Sequence, residues 1–145
     1  MRVAAGGRTD ALITSTRGPS VYGIANKGGR LREVGIFNTT ATAFAVALVR
    51  ASAAGTVGTA MTEVIMDNEV NSGSAQLTAF NTHTANATVG SPVRQSTIGA
   101  AAGAGVIWTF GDEGLIIPTG TANGIVIILP VGTAQHFDFY FEWQE

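Results

Sequence analysis

A chain of 145 residues has room for one domain but not for two independent cores, and it can bury enough surface to fold without covalent staples. It contains no cysteine, which excludes disulfides, thiolate metal sites and cysteine nucleophiles. Only 12% of its residues are charged, about half the usual ~25%, so its polar surface is built from Thr, Ser, Asn and Gly. Such a surface can be covered by a neighbour without immobilising many long side chains.

No apolar h-region of a signal peptide follows Met1, and no run approaches the ~18 apolar residues of a membrane-spanning helix. These features predict a soluble protein made in the cytoplasm. Charge is unevenly placed. Residues 1–32 hold Arg2, Arg8, Arg17, Lys27, Arg30 and Arg32 against Asp10 alone, a net of +5. The remainder holds Arg50 and Arg94 against nine carboxylates, a net of −7. The basic residues are too sparse, and too free of interleaved aromatics, for a nucleic-acid surface.

Residues 1–20 mix Gly, Arg, Thr and Pro around one short β-like piece at 11–14. They read as an extended N-terminal arm feeding a β-sandwich domain over 21–145, with Arg2, Arg8 and Arg17 as its docking cations. A weak strand at 21–24 closes in the turn 26–29. The stretch 31–38 sets Val34 and Ile36 on one face. A polar turn at 38–40 leads into 42–50, where Phe44, Val46 and Leu48 alternate with Ala43, Ala45 and Ala47. Two strands about a short polar turn predict a hairpin. The small alanines predict a face closely covered by a loop or by another subunit.

Strands are next expected at 62–66 and 75–80, with a polar loop at 67–74 between them. Residues 81–92 read as a long connection, and 94–99 as a weak strand. A strong strand follows at 106–110, with Val106, Trp108 and Phe110 aligned. The turn 111–114 leads to 115–117, which Pro118 stops. Asn123-Gly124 is a hairpin signal, and 125–129 is apolar on both faces, as in a central strand. Last comes the clearest signal in the chain. Phe137, Phe139, Phe141 and Trp143 alternate with His136, Asp138, Tyr140 and Glu142, the period-two pattern of a half-buried strand.

Nine or ten short strands without a helix predict an all-β, two-sheet sandwich, and long connections without a Cys…Trp…Cys framework favour a jelly roll over an immunoglobulin-type fold. The chemistry-bearing residues are few. His83 lies in a polar loop without a charged neighbour in sequence. His136 and Asp138 share a strand face, but further metal ligands are lacking, so no metal site is expected. Residues 67–69 lack the rhythm of a calcium loop. The glycine pairs match neither phosphate-binding spacing, and no Gly-x-Ser-x-Gly elbow occurs. An enzyme is not expected; one would need a cleft gathering Asp112, Glu113 or His136. No cofactor, membrane or small-molecule substrate is expected either.

Residues 34–50 (VGIFNTTATAFAVALVR), 105–118 (GVIWTFGDEGLIIP) and 120–125 (GTANGI) give the chain, over roughly 31–145, a pattern that resembles small auxiliary virion proteins of tailed bacteriophages, the capsid decoration or cement proteins. The resemblance implies a β-sandwich, often trimeric, seated on the outer capsid surface and clamping the subunits of the major capsid protein. On that reading Ala43, Ala45, Ala47, His136, Asp138 and Tyr140 would contribute to self-association. Deleting residues 1–20 would leave a folded oligomer unable to bind capsids. The rival expectation is a tail-tip or fibre module that binds a host receptor or carbohydrate, for which exposed aromatic side chains would be the sign.

Overall fold

The computed structural model describes residues 1–67, 73–131 and 134–145. Among these, eleven strands and no helix are found: β1 (Arg2–Arg8), β2 (Ser20–Tyr22), β3 (Gly29–Asn38), β4 (Phe44–Ala53), β5 (Val64–Ile65), β6 (Thr78–Phe80), β7 (Thr88–Ile98), β8 (Gly105–Thr109), β9 (Leu115–Ile117), β10 (Gly124–Ile128) and β11 (Phe137–Gln144). They form two antiparallel sheets. The first runs β5-β1-β11-β3, with β8 and β9 both pairing along the far edge of β3. The second runs β6-β2-β10-β4-β7.

Period-two alternation in β11 sets the core. Phe137, Phe139, Phe141 and Trp143 are all buried, and the three phenylalanine rings meet edge-to-face in succession, with Phe139 and Phe141 centroids 5.8 Å apart. Phe137 crosses the sandwich to stack on Phe44 of β4 at 5.7 Å. Phe44, Val46, Leu48, Ile125 and Ile127 supply the facing wall from the second sheet. Loss of one such aromatic side chain costs ~3–5 kcal/mol. In β3 an irregularity opposite Glu142 and Trp143 inserts one extra residue, which lets Leu31 and Val34 both face inward despite their odd spacing.

β10 is buried on both faces, as its unbroken apolar run requires. Ile125 and Ile127 enter the main core, whereas Val126 and Ile128 join a second cluster with Tyr22, Ala47, Val49, Ala51 and Ala87. Ala54, Phe80 and Val89 pack over that cluster. The outer face of the second sheet is thus covered by the chain's own connections. Among the described residues the first sheet has no such cover.

Four sequence expectations give way. β3 and β4 are not a hairpin but lie in opposite sheets. Asn38 turns the chain between them: its Oδ1 accepts from the Thr40 amide at 2.9 Å, and its Nδ2 donates to the Thr42 and Gly99 carbonyls, each at 2.8 Å. Both strands carry inward apolar rows, and facing across the core buries each row against the other. The Asn123-Gly124 turn likewise crosses from β9 in one sheet to β10 in the other. The connection expected over 81–92 is shorter, because β7 begins at Thr88. β7 pairs on one side only and shifts register repeatedly along β4, which accommodates Pro92.

The fourth concerns residues 1–20, which do not form a separate arm. β1 pairs with β11 along its whole length and with β5 on its other side, and Val3 and Ala5 enter the core. Ile13 is buried and exchanges backbone hydrogen bonds with Gln135 at 2.7 and 3.2 Å. The Pro19 carbonyl accepts from the Ile127 amide at 2.8 Å. Removing residues 1–20 would therefore strip a core strand, not a dispensable tether. Residues 68 and 69 of the Asp67-Asn68-Glu69 segment, and residues 132 and 133, lie outside the described residues.

Candidate binding surface on the first sheet

Along β1 and β11 alternate residues point away from the core, so Arg2, Ala4, Gly6 and Arg8 share the outer face with Asp138, Tyr140 and Glu142. Direct pairing sets Arg8 opposite Asp138, and the two form a two-pronged ion pair with N–O distances of 2.8 and 3.1 Å. Asp138 raises the Arg8 guanidinium pKa by hydrogen bonding and charge. Arg2 reaches Glu142 at 3.1 Å. Arg8, expected to bind a capsid, is thus the partner of Asp138, the acid expected at a subunit contact, while Arg2 is taken up by Glu142.

Tyr140 occupies the middle of this face. Gly6 on β1 and Gly35 on β3 flank it in register, followed by Ile107 of β8. A Cβ at Gly35 would lie 2.1 Å from Tyr140 Cε1, so the phenol ring rests flat on the glycine backbone. Phe37 repeats the arrangement one strand over: a Cβ at Gly105 would lie 2.3 Å from its Cδ1. The two rings are 6.3 Å apart and only 25° from parallel. The Tyr140 hydroxyl donates to Glu33 Oε1 at 2.6 Å. Burial, reinforced by the Glu33 carboxylate, pushes the phenol pKa well above its ordinary value. Beside the rings lies a shallow groove of ≈470 Å³ lined by Gly7, Arg8, Phe37, Asp138 and Tyr140. Exposed Val64, Met66, Ile107 and Ile116 lie toward the sheet's margins.

The other sequence-predicted residues lie elsewhere. His136 precedes β11, and its ring stays at Thr9, with Nδ1 3.1 Å from the Thr9 carbonyl. Arg17 is exposed on the β1–β2 connection, 3.3 Å from Asn86 Oδ1. Ala43 is exposed, Ala45 is half-buried, and Ala47 is covered by the second cluster, so the three do not form one open surface. For Ala47 the covering element is the chain itself.

His83 is buried, with Nε2 2.7 Å from Ser20 Oγ and its ring edge-on to Tyr22 at 5.9 Å. Burial lowers its pKa. Burial also pushes the neighbouring Tyr22 phenol up to about 12. Asp112 and Glu113 project from the β8–β9 turn, held by Arg32 and Arg30, at the rim of an open groove of ≈560 Å³. That groove does not include His136. Among the described residues no three His, Asp or Glu side chains are grouped to hold a metal ion.

Sequence reasoning noted the outward parity of Tyr140 but missed Phe37, Gly35 and Gly105. The signal was present: with Val34 and Ile36 inward, Gly35 and Phe37 must be outward, and an outward aromatic near glycines marks rings lying flat on the sheet. No protein-family model matches this chain, nor does any curated protein or solved structure.

Proposed function

We propose that this chain is a structural virion protein, a jelly-roll decoration or cement subunit that self-associates as a trimer on the outer capsid surface and clamps neighbouring major capsid protein subunits. Strand order supports the jelly-roll reading. β1, β11, β3 and β8 form one four-strand set and β2, β10, β4 and β7 the other; in chain order these strands change sheet at every step except β4 to β7, which pair side by side, as in two nested Greek keys.

One observation carries the docking role. The connections 9–19, 39–43, 99–104 and 129–136 meet at one end of the sandwich, tied by hydrogen bonds such as Ile13 to Gln135, Gly103 to Asn38 and Leu129 to Ser15. Their formally charged residues are Asp10 and Arg17 alone. Ala41, Ala43, Ala100, Ala101 and Ala102 are exposed there, as are Leu12 at 55% and Val131 at 70%. A neutral surface of short side chains around two exposed aliphatics loses little rotamer entropy when covered. Many copies around a shell add weak contacts into firm attachment.

The test is co-sedimentation of the purified protein with empty shells, together with its mass in solution. The expected result is a trimer that pellets with shells, and a Leu12→Asp/Val131→Asp variant that keeps the fold but stays in the supernatant. A monomer that never joins the particle would overturn the proposal.

A further inference from the structure

The docking end leaves the outer face of the first sheet open, and that face is built as a site. Two nearly parallel rings, Tyr140 and Phe37, lie on glycine backbone and turn flat faces outward. An aromatic face carries the negative side of its quadrupole and attracts polarised C–H groups. The polar groups around the rings are fixed in place. Asp138 is held by both prongs of Arg8, Glu142 by Arg2, and Glu33 by the Tyr140 hydroxyl. Groups already immobilised lose little further entropy on binding.

Charge selects the ligand class. The two arginines are neutralised by their partner acids, and Glu33 leaves a slight negative excess, so a phosphate or polyanion is not favoured on this face. What fits is a neutral molecule with one apolar flat face and hydroxyls around its edge. We propose that the groove formed by Phe37, Tyr140, Arg8 and Asp138 binds a neutral pyranose sugar. Its axial C–H face lies on the rings, and its hydroxyls bond to Asp138 and Arg8. The ≈470 Å³ of the groove is within the ~300–1,000 Å³ usual for small-ligand sites.

Amide chemical-shift titration tests this, with cellohexaose, maltohexaose and mannohexaose as probes and polygalacturonate as the anionic control. At least one neutral oligosaccharide, at up to ~10 mM, should shift the Gly35 and Gly105 amides while polygalacturonate does not. Stacking worth up to ~1.5 kcal/mol corresponds to about a tenfold loss of affinity in Tyr140→Ala. Tyr140→Phe, which keeps the ring and drops the Glu33 bond, should stay within about threefold of the parent. The full chain carrying Tyr140→Ala should still pellet with shells, because docking uses the loop surface around Leu12 and Val131 and not the Tyr140 ring on the outer face of the sheet. Silence of all three oligosaccharides overturns the proposal. So does binding indifferent to Tyr140→Ala, or a concentration-dependent dimer that covers these amides.

Discussion

Gly35→Ala is the sharpest probe of how the outer face is made. Gly35 has no positive φ, so alanine there suits the backbone and, through the unfolded state, would stabilise by ~0.5–1 kcal/mol. The new methyl would instead meet Tyr140 Cε1 at 2.1 Å and Cζ at 2.6 Å. The ring must lift, which draws the hydroxyl from Glu33, 2.6 Å away. That bond to a carboxylate is partly exposed to water and is worth ~1.5 kcal/mol at the low end of its class; an off-rotamer ring adds ~0.5–1.5 kcal/mol. The net is a loss of ~1–2 kcal/mol, or roughly 2–8 °C in Tm for a domain of this size. In a Tyr140→Ala background the obstacle is gone, and Gly35→Ala should stabilise by ~0.5–1 kcal/mol. The sign thus reverses, with a coupling of ~2–3 kcal/mol. Urea unfolding of the four proteins followed by circular dichroism measures it. Equal effects of Gly35→Ala in both backgrounds would show that the ring does not rest on the glycine.

Deleting residues 1–8 should abolish cooperative unfolding, because it removes Val3 and Ala5 from the core and leaves the edge of β11 unpaired; a sharp thermal transition in the truncated chain would contradict this. Acid should weaken the fold through His83. Its folded pKa lies below the ordinary value, so the unfolded chain binds the proton first. The contribution is intact above about pH 6.5 and is lost as pH falls through the folded-state value. Tm of the parent should drop more than that of His83→Gln between about pH 8 and 5; parallel curves would remove His83 as the cause.

Much of the surface chemistry was legible because period-two alternation needs no partner to be read. The parity of 136–143 set which side of β11 is core and which is open, and the rows at 44–48 and 125–129 marked apolar faces that had to be buried. Alternation does not say which strand lies beside which. A polar turn such as Asn38-Thr39-Thr40 reads alike whether the chain folds back within one sheet or crosses to the other, and so β3 and β4 looked like a hairpin. The arm was misjudged for a related reason: Val3 and Ala5 alternate too briefly, amid glycines, to announce a strand.

Sequence by itself determined the all-β class and the inward and outward faces of its strongest strands, since these follow from local backbone geometry and burial of apolar side chains. Tertiary structure alone decided strand neighbours, because pairing joins residues more than a hundred positions apart, such as Arg8 and Asp138. It also decided which sheet remains bare. A ring becomes a flat platform only when a neighbouring strand offers a glycine in register beneath it, and no local rule of spacing carries that information.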